Sequence, residues 1–161
     1  DIPHPAIDAL FTIDEETGMT GALGLNGGLL DADILLNLDT EDDDELTIGC
    51  AGGIDVSAAG KYKLEKTASG SAAFRLTVNG LTGGHSGMDI YKGRGNANKL
   101  INRVLLAGKD KFDLRISLID GGGLRNAIPR ESFAELTVAA AEVDVFKIFV
   151  KGEEDVLNNK Y

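Results

Sequence analysis

The sequence of 161 residues has few of the features that mark disulfide-stabilised or membrane proteins. It contains one cysteine, Cys50, so no internal disulfide can form and a reducing cytoplasm is the default location. Cys50 stands between two small residues after an apolar run, which favours a packing residue over a nucleophile. No stretch approaches the roughly 20 apolar residues of a membrane-spanning helix, and no signal peptide is visible. We therefore expect no membrane partner.

Basic residues are absent from the first part of the chain. Residues 1–60 contain 14 Asp or Glu and no Lys or Arg, whereas residues 61–161 hold all 16 basic residues and the other 12 acids. An acidic first part argues against nucleic acid, whose phosphates need clustered Lys and Arg, and suits divalent cations. The change in composition predicts two domains, residues 1–58 and residues 59–161.

Two short apolar runs in the first domain, residues 9–13 and 34–38, each end at acidic residues. Continuous apolar runs are typical of buried strands in a parallel sheet, and residues 18–30 are long enough for a crossover helix. The sequence thus predicts an α/β strand–helix–strand unit with acids at the carboxyl end of each strand. Neighbouring strands lie about 5 Å apart, so these carboxylates would converge and favour a cation. A solvated turn is the alternative for residues 14–16.

The second domain has a different pattern. Alternating polar and apolar residues predict strands at 74–78, 114–118 and 133–138, and helical spacing predicts helices at 96–107 and 143–157. The order β-α-β-β-α is most of a ferredoxin-like α+β sandwich, short of its last strand. We therefore expect an interior piece of a longer protein. The acidic run at 41–45 lacks the glycine of a calcium loop and is predicted to be a solvated loop.

Glycine-rich motifs surround the second of two histidines. Gly83-Gly84-His85-Ser86-Gly87 places His85 between glycines, which are poor surroundings for a core residue. A lone histidine is more often structural, and His4, between two prolines, is predicted to be solvated. Residues 121–131 form a second motif, Gly-Gly-Gly-Leu-Arg-Asn-Ala-Ile-Pro-Arg-Glu, whose glycines predict a turn.

These motifs together resemble one enzyme family. Residues 11–22, with Asp14-Glu15-Glu16, resemble the double-glutamate motif of the aminoacyl-histidine dipeptidases, which belong to the di-zinc exopeptidases. Residues 37–41 and 49–53 are similar to the same family at the expected spacing, and the two glycine-rich motifs resemble its lid. The resemblance implies part of a di-zinc peptidase catalytic domain followed by part of a lid and dimerisation domain.

The resemblance also implies roles for single residues. Glu15 would be the general base, and Glu16 and Asp39 would each ligate one metal ion. His85 would reach from the lid, or from a partner subunit's lid, to the oxygen of the tetrahedral intermediate. Asn126 would contact substrate. Arg130 would hold a substrate carboxylate or, equally, serve at the surface.

The expected function is that of a metal-dependent dipeptidase acting on Xaa-His (carnosine-type) dipeptides through a metal-bridged water. Two divalent ions are implied for the full-length protein, Zn²⁺ by preference and Mn²⁺ or Co²⁺ as alternatives, with a homodimer in the cytoplasm. The chain lacks the family's His-x-Asp motif and C-terminal histidine, so we expect it to be inactive alone and to bind little or no metal. The alternatives are an N-acyl amino acid amidohydrolase of the same superfamily and a non-catalytic association module derived from the lid.

Overall fold

The computed structural model describes residues 2–39, 44–50 and 52–161 of the chain. Two compact units are present, Asp1–Ala58 and Ala59–Tyr161. The assignment of the first to a catalytic domain and of the second to a lid domain stays a prediction. Within the described ranges, no helix combines the length and the apolar character needed to cross a membrane.

The first unit has little regular structure. Across its described residues, the only helix or strand is α1 (Thr20–Leu23), so the predicted parallel strand–helix–strand unit is wrong for this structure. Residues 9–13 and 34–38 form no strand, and their side chains are exposed, Phe11 by 91%. A strand of a parallel sheet needs neighbours for its backbone groups and cover on both faces. The described part of this unit supplies neither.

Three smaller predictions concern single positions in this unit. Cys50 is exposed, so its predicted role as a packing residue is wrong, because the described residues of this unit form no core. His4 is exposed, with Nδ1 2.7 Å from the carbonyl oxygen of Pro5, and the prediction of a solvated histidine is confirmed. Residues 41–43 of the predicted acidic loop lie outside the described residues.

The second unit is built on antiparallel strands. They are β1 (Ser71–Val78), β2 (Gly84–His85), β3 (Arg115–Gly121), β4 (Ala127–Ile128) and β5 (Ser132–Ala139). β5 is the centre of a three-stranded sheet of order β1-β5-β3, and β2 pairs with β4 separately. Side chains of β5 alternate between buried and half-buried, as expected for a central strand covered on one face. The predicted α+β domain is confirmed, and the structure shows that its sheet is antiparallel.

Two helices, α2 (Ala97–Lys109) and α3 (Val143–Asn158), cover the sheet. α2 begins after Asn96, whose side chain accepts a hydrogen bond from the Lys99 amide at 3.1 Å and so caps the helix. The buried residues of α2 recur every three or four positions and form one apolar face. Short 3-10 helices occur at Ile90–Lys92 and Ala140–Glu142.

The core of the second unit is centred on Phe146 of α3, which is 1% exposed. Its ring centroid lies 5.1 Å from that of Phe74 on β1 and 5.3 Å from that of Phe112, in tilted and edge-on arrangements that aromatic rings favour. Leu136 and Ile101 join the same cluster. Strand β1, the central strand β5 and both helices therefore contribute to one apolar core.

β3 is an edge strand with exposed apolar residues. Ile116, Leu118 and Ile119 are 47%, 45% and 54% exposed, and we refer to these three side chains as the β3 apolar edge. A register shift between Ile116 and Leu118 interrupts the ladder, and the Ser117 hydroxyl there donates to the Glu135 carbonyl at 3.1 Å. Such irregularities are common at sheet edges.

Candidate functional site

The two glycine-rich motifs of the second unit lie side by side. β2 and β4 pair so that Gly84 is opposite Ile128 and His85 is opposite Ala127. The amide of Ser86 continues this pairing by donating to the Asn126 carbonyl at 2.8 Å. His85 and Asn126, which the family resemblance assigned to one lid, therefore share one small site.

Two glycines give this site its backbone shape. Gly83 has φ +69° and Gly84 has φ +145°, values that L side chains rarely adopt. A Cβ atom on Gly84 would lie 2.5 Å from the Asp89 Oδ2 atom, and one on Gly83 would lie 2.8 Å from Cδ of Arg130. Side chains pack directly onto this backbone, which explains why the motif needs glycine before His85.

The imidazole of His85 is oriented by its own loop. Nδ1 accepts hydrogen bonds from the amides of Gly87 and Met88, each at 3.1 Å. A neutral imidazole has one donor and one acceptor nitrogen, so these bonds assign the proton to Nε2. The side chain is exposed, and Nε2–H is the ring nitrogen left to donate to another group. This arrangement suits a group that donates a hydrogen bond to a bound oxygen atom.

In the first unit, the double-glutamate motif lies in a turn organised by Asp14. Asp14 has the left-handed value φ 62°, its carbonyl accepts from the Met19 amide at 2.6 Å, and its carboxylate accepts from the Thr20 hydroxyl at 2.8 Å. Asp14 is thus committed to the turn itself. Glu15 and Glu16 are exposed on the same turn, with their carboxylates available for chemistry.

The structure does not assemble a metal centre from these acids. Over residues 2–39, 44–50 and 52–161, no group of three or more His, Cys, Asp or Glu side chains is placed to hold a metal ion. The expected convergence of Glu16 and Asp39 depended on two parallel strands that are not formed. The backbone amide of Asp39 donates to Oδ1 of Asn37 at 3.0 Å. The roles of Glu15, Glu16 and Asp39 stay predictions.

Arg130 contacts the same loop as His85. Its Nε donates to the Leu81 carbonyl at 3.1 Å, and its stem covers Gly83. An arginine has five N–H donors, so others remain for a substrate carboxylate. The substrate roles of Arg130 and Asn126 stay predictions, while the structure shows that both lie at the His85 site.

Sequence reasoning missed two side chains at this site, Asp89 and Arg94. The Asp89 Oδ2 atom accepts from the His85 amide at 2.8 Å, and Arg94 Nη1 donates to the Gly83 carbonyl at 2.6 Å. The two side chains also pair with each other at 3.1 Å. A hydrogen bond from Lys92, followed by that from the His85 amide, holds the pKa of Asp89 below its usual value. The available signal was an acid four residues after His85, followed by the Gly-Arg-Gly stretch at 93–95.

Comparison with known proteins gives consistent matches. Residues 67–161 match the family described as Peptidase dimerisation domain. The cytosol non-specific dipeptidase of Escherichia coli (strain K12) is 47% identical over 159 residues, which is 99% of this chain and 33% of that protein. The crystal structure of aminoacylhistidine dipeptidase from Vibrio alginolyticus superposes with a TM-score of 0.70 at 44% identity, over 92% of this chain and 30% of that one. The chain thus spans about a third of the length of these relatives.

Proposed function

This chain belongs to the Peptidase dimerisation domain family, and from this we propose that it serves as part of a metal-dependent dipeptidase that hydrolyses Xaa-His (carnosine-type) dipeptides. The resemblance to the aminoacyl-histidine dipeptidases is confirmed, because both relatives carry dipeptidase names at 44–47% identity. One relative is named for aminoacylhistidine substrates and the other as non-specific. The choice of Xaa-His substrates therefore belongs to the proposal.

The observation that carries the proposal is the orientation of His85. Its Nδ1 accepts from two backbone amides, which leaves Nε2–H as the donor, and the Asn126 segment pairs with the neighbouring Ser86. A fixed donor aimed at an oxygen that gains charge in the transition state accelerates hydrolysis, because it needs no rearrangement during the reaction. We assign this role to His85, with Asn126 and Arg130 holding the substrate.

The acids of the first unit complete the proposed assignment. Glu15 accepts the proton of the attacking water and delivers it to the leaving amine, as a general base in peptide hydrolysis does. Glu16 and Asp39 are assigned as ligands of two divalent ions, with Zn²⁺ favoured over Mn²⁺ or Co²⁺. The residues that the structure describes do not by themselves fit such a centre, so it would need further ligands besides Glu16 and Asp39.

A homodimer and a cytoplasmic location belong to the same proposal. The matched family is described as a dimerisation domain, and among the described residues β3 is an edge strand that carries the β3 apolar edge, a surface of the kind that associates with a second chain. The same observations favour a second candidate function, in which this domain acts only to associate subunits. The cytoplasmic location is supported by the name of the Escherichia coli relative and by the single unpaired cysteine.

The test is an assay of the full-length gene product with β-alanyl-histidine, dipeptides without histidine, and N-acetyl amino acids. We expect His85→Ala to lower kcat by about 100- to 1,000-fold, as for loss of one donor to an oxyanion, with little change in KM. His4→Ala, which removes the other histidine, should leave kcat unchanged.

An effect of His85→Ala below a few-fold would remove His85 from the site. Preferential hydrolysis of N-acetyl amino acids would favour the amidohydrolase alternative. Absence of any hydrolysis by the wild-type protein, together with a stable dimer, would favour the association module.

A further inference from the structure

We propose that Asp89 and Arg94 are positioning residues, which act as one pair to hold the Gly83–His85 backbone and thereby the imidazole of His85. The inference rests on the proposed function for its catalytic consequence. Its structural part concerns the geometry of the loop and can be tested without any substrate.

The backbone leading to His85 is held at every second residue by a side chain from elsewhere. Arg130 donates to the carbonyl of Leu81 at 3.1 Å, and Arg94 donates to the carbonyl of Gly83 at 2.6 Å. Asp89 then accepts from the amide of His85 at 2.8 Å. Three charged side chains thus fix alternate residues of one short segment, and charge-assisted hydrogen bonds of this kind are the stronger ones.

Asp89 also closes the turn that contains the partners of the imidazole. Its own amide donates to the carbonyl of His85 at 3.0 Å, while its carboxylate accepts from the amide of the same residue. Gly87 and Met88, whose amides donate to Nδ1, lie in the turn between His85 and Asp89 that these two contacts close. Loss of the Asp89 carboxylate would loosen the turn and release Nδ1, after which either nitrogen could carry the proton.

The Asp89–Arg94 pair is less exposed than the ion pair between Lys151 and Glu154. Its side chains are 18% and 26% exposed, whereas those of Lys151 and Glu154 are 63% and 52% exposed. Exposed pairs contribute little, because water screens them and their side chains lose entropy when ordered. The pair also packs against Gly84, where a Cβ atom would lie 2.5 Å from the Asp89 carboxylate. The glycine lets the two side chains close onto the backbone.

The charge of Asp89 suits this role. The hydrogen bond from Lys92 at 2.6 Å and that from the His85 amide lower its pKa, so the carboxylate stays ionised at neutral pH. Lys92 and Arg94 are the cations that face it. We therefore expect Asp89→Asn, which keeps an oxygen for the His85 amide but loses the charge, to be a milder change than Asp89→Ala.

The structural test is ¹⁵N NMR of the imidazoles in the 161-residue chain at a pH where both histidines are neutral. His4 serves as the internal reference. We expect His85 of the wild-type chain to be predominantly the Nε2–H tautomer and Asp89→Ala to give a mixture of tautomers. Arg94→Gln should shift His85 in the same direction, and Asp89→Asn should shift it less. Glu154→Ala is the control, because it removes the acid of an exposed pair with the same three-residue spacing as Lys92 and Asp89.

The functional test measures the same variants in the full-length gene product. A misplaced catalytic group can lower the rate by up to about 100-fold, so Asp89→Ala should lower kcat by up to this factor with KM within about twofold. Asp89→Asn should recover part of the loss. If Asp89 only stabilised the fold, Asp89→Ala would lower the folded fraction and not the rate of each folded molecule. We therefore calculate kcat per folded molecule, with the folded fraction measured by circular dichroism.

Unchanged His85 nitrogen signals in Asp89→Ala would overturn the positioning role. If Asp89→Ala fails to fold, unchanged signals in both Asp89→Asn and Arg94→Gln would overturn it equally. If the wild-type gene product hydrolyses no dipeptide, the proposed function fails, and the tautomer measurement alone decides whether the pair positions His85.

Discussion

The two units of the chain differ in the exposure of their apolar side chains. In the first unit, Leu36 and Ile48 are 77% and 102% exposed, and no residue of α1 is buried. In the second unit, Leu136 and Phe146 are each 1% exposed. Both units contain apolar runs of similar length, so composition alone does not explain the difference.

The difference lies in what surrounds each run. β5 has a paired strand on each side, and its buried side chains meet α2 and α3. Residues 34–38 are equally apolar, but the described part of their unit provides no second strand and no covering helix. An apolar run becomes a strand only where neighbours satisfy its backbone and remove its side chains from water. Matched substitutions in the two units would test this explanation.

The largest expected effect is on the free energy of unfolding. It is tested by replacing one phenylalanine with alanine in each unit. Phe146→Ala removes the centre of the aromatic cluster and should destabilise the second unit by about 3–5 kcal/mol, because it leaves a cavity. Phe11→Ala, at a side chain that is 91% exposed, should change the free energy of unfolding by less than about 0.5 kcal/mol. Urea unfolding followed by circular dichroism measures both. Equal effects would show that the first unit has a core of its own.

An intermediate effect is expected on association. Ile119→Lys places a charge on the β3 apolar edge and should raise the dimer dissociation constant at least about tenfold, which corresponds to 1.4 kcal/mol. Ile34→Lys makes the same change at an exposed isoleucine of the first unit and should leave the constant unchanged. Sedimentation equilibrium measures the constant. A monomeric wild-type chain, or equal effects of the two changes, would contradict association through β3.

The smallest expected effect is the loss of the Asp89 contacts at low pH. The pKa of Asp89 is lowered in the folded chain, so its stabilising contacts are complete above the ordinary value of 3.8 and are lost as the pH falls through the lowered value. The ¹³C shift of the Asp89 carboxyl carbon should therefore titrate below pH 3.8. Lys92→Met removes the largest cause of the shift and should move the midpoint upward. A midpoint that Lys92→Met leaves in place would show that the lysine is not the cause.

Local patterns predicted the second unit well. The helix expected at 96–107 is found at Ala97–Lys109, and the strand expected at 133–138 is found at Ser132–Ala139. Both elements carry a periodic apolar face that matches the neighbours they meet. The strands expected at 9–13 and 34–38 fail because a continuous apolar run specifies burial without supplying the partners.

The candidate site was predictable only in part. The flanking glycines of His85 singled it out in the sequence, and the structure places Asn126 and Arg130 at the same loop. The contacts of Asp89 and Arg94 were not predictable, since they depend on how the chain folds back over Gly84. Hydrogen bonds between side chains and distant backbone groups leave no periodic signal in a sequence.

The central position of β5 also determines when the sheet can be completed during synthesis. β3 and β5 are close in sequence, with Gly121 opposite Ser132, whereas Ser71 of β1 is opposite Ala139. The entropy lost on closing a loop grows with its length, so the β3–β5 hairpin is the easier ladder to form. A ribosome that makes the chain from its N-terminus has to finish β5 before β1 has any partner in the sheet. Until then β1 has no partner on either edge, and unpaired strand edges of this kind are prone to aggregate.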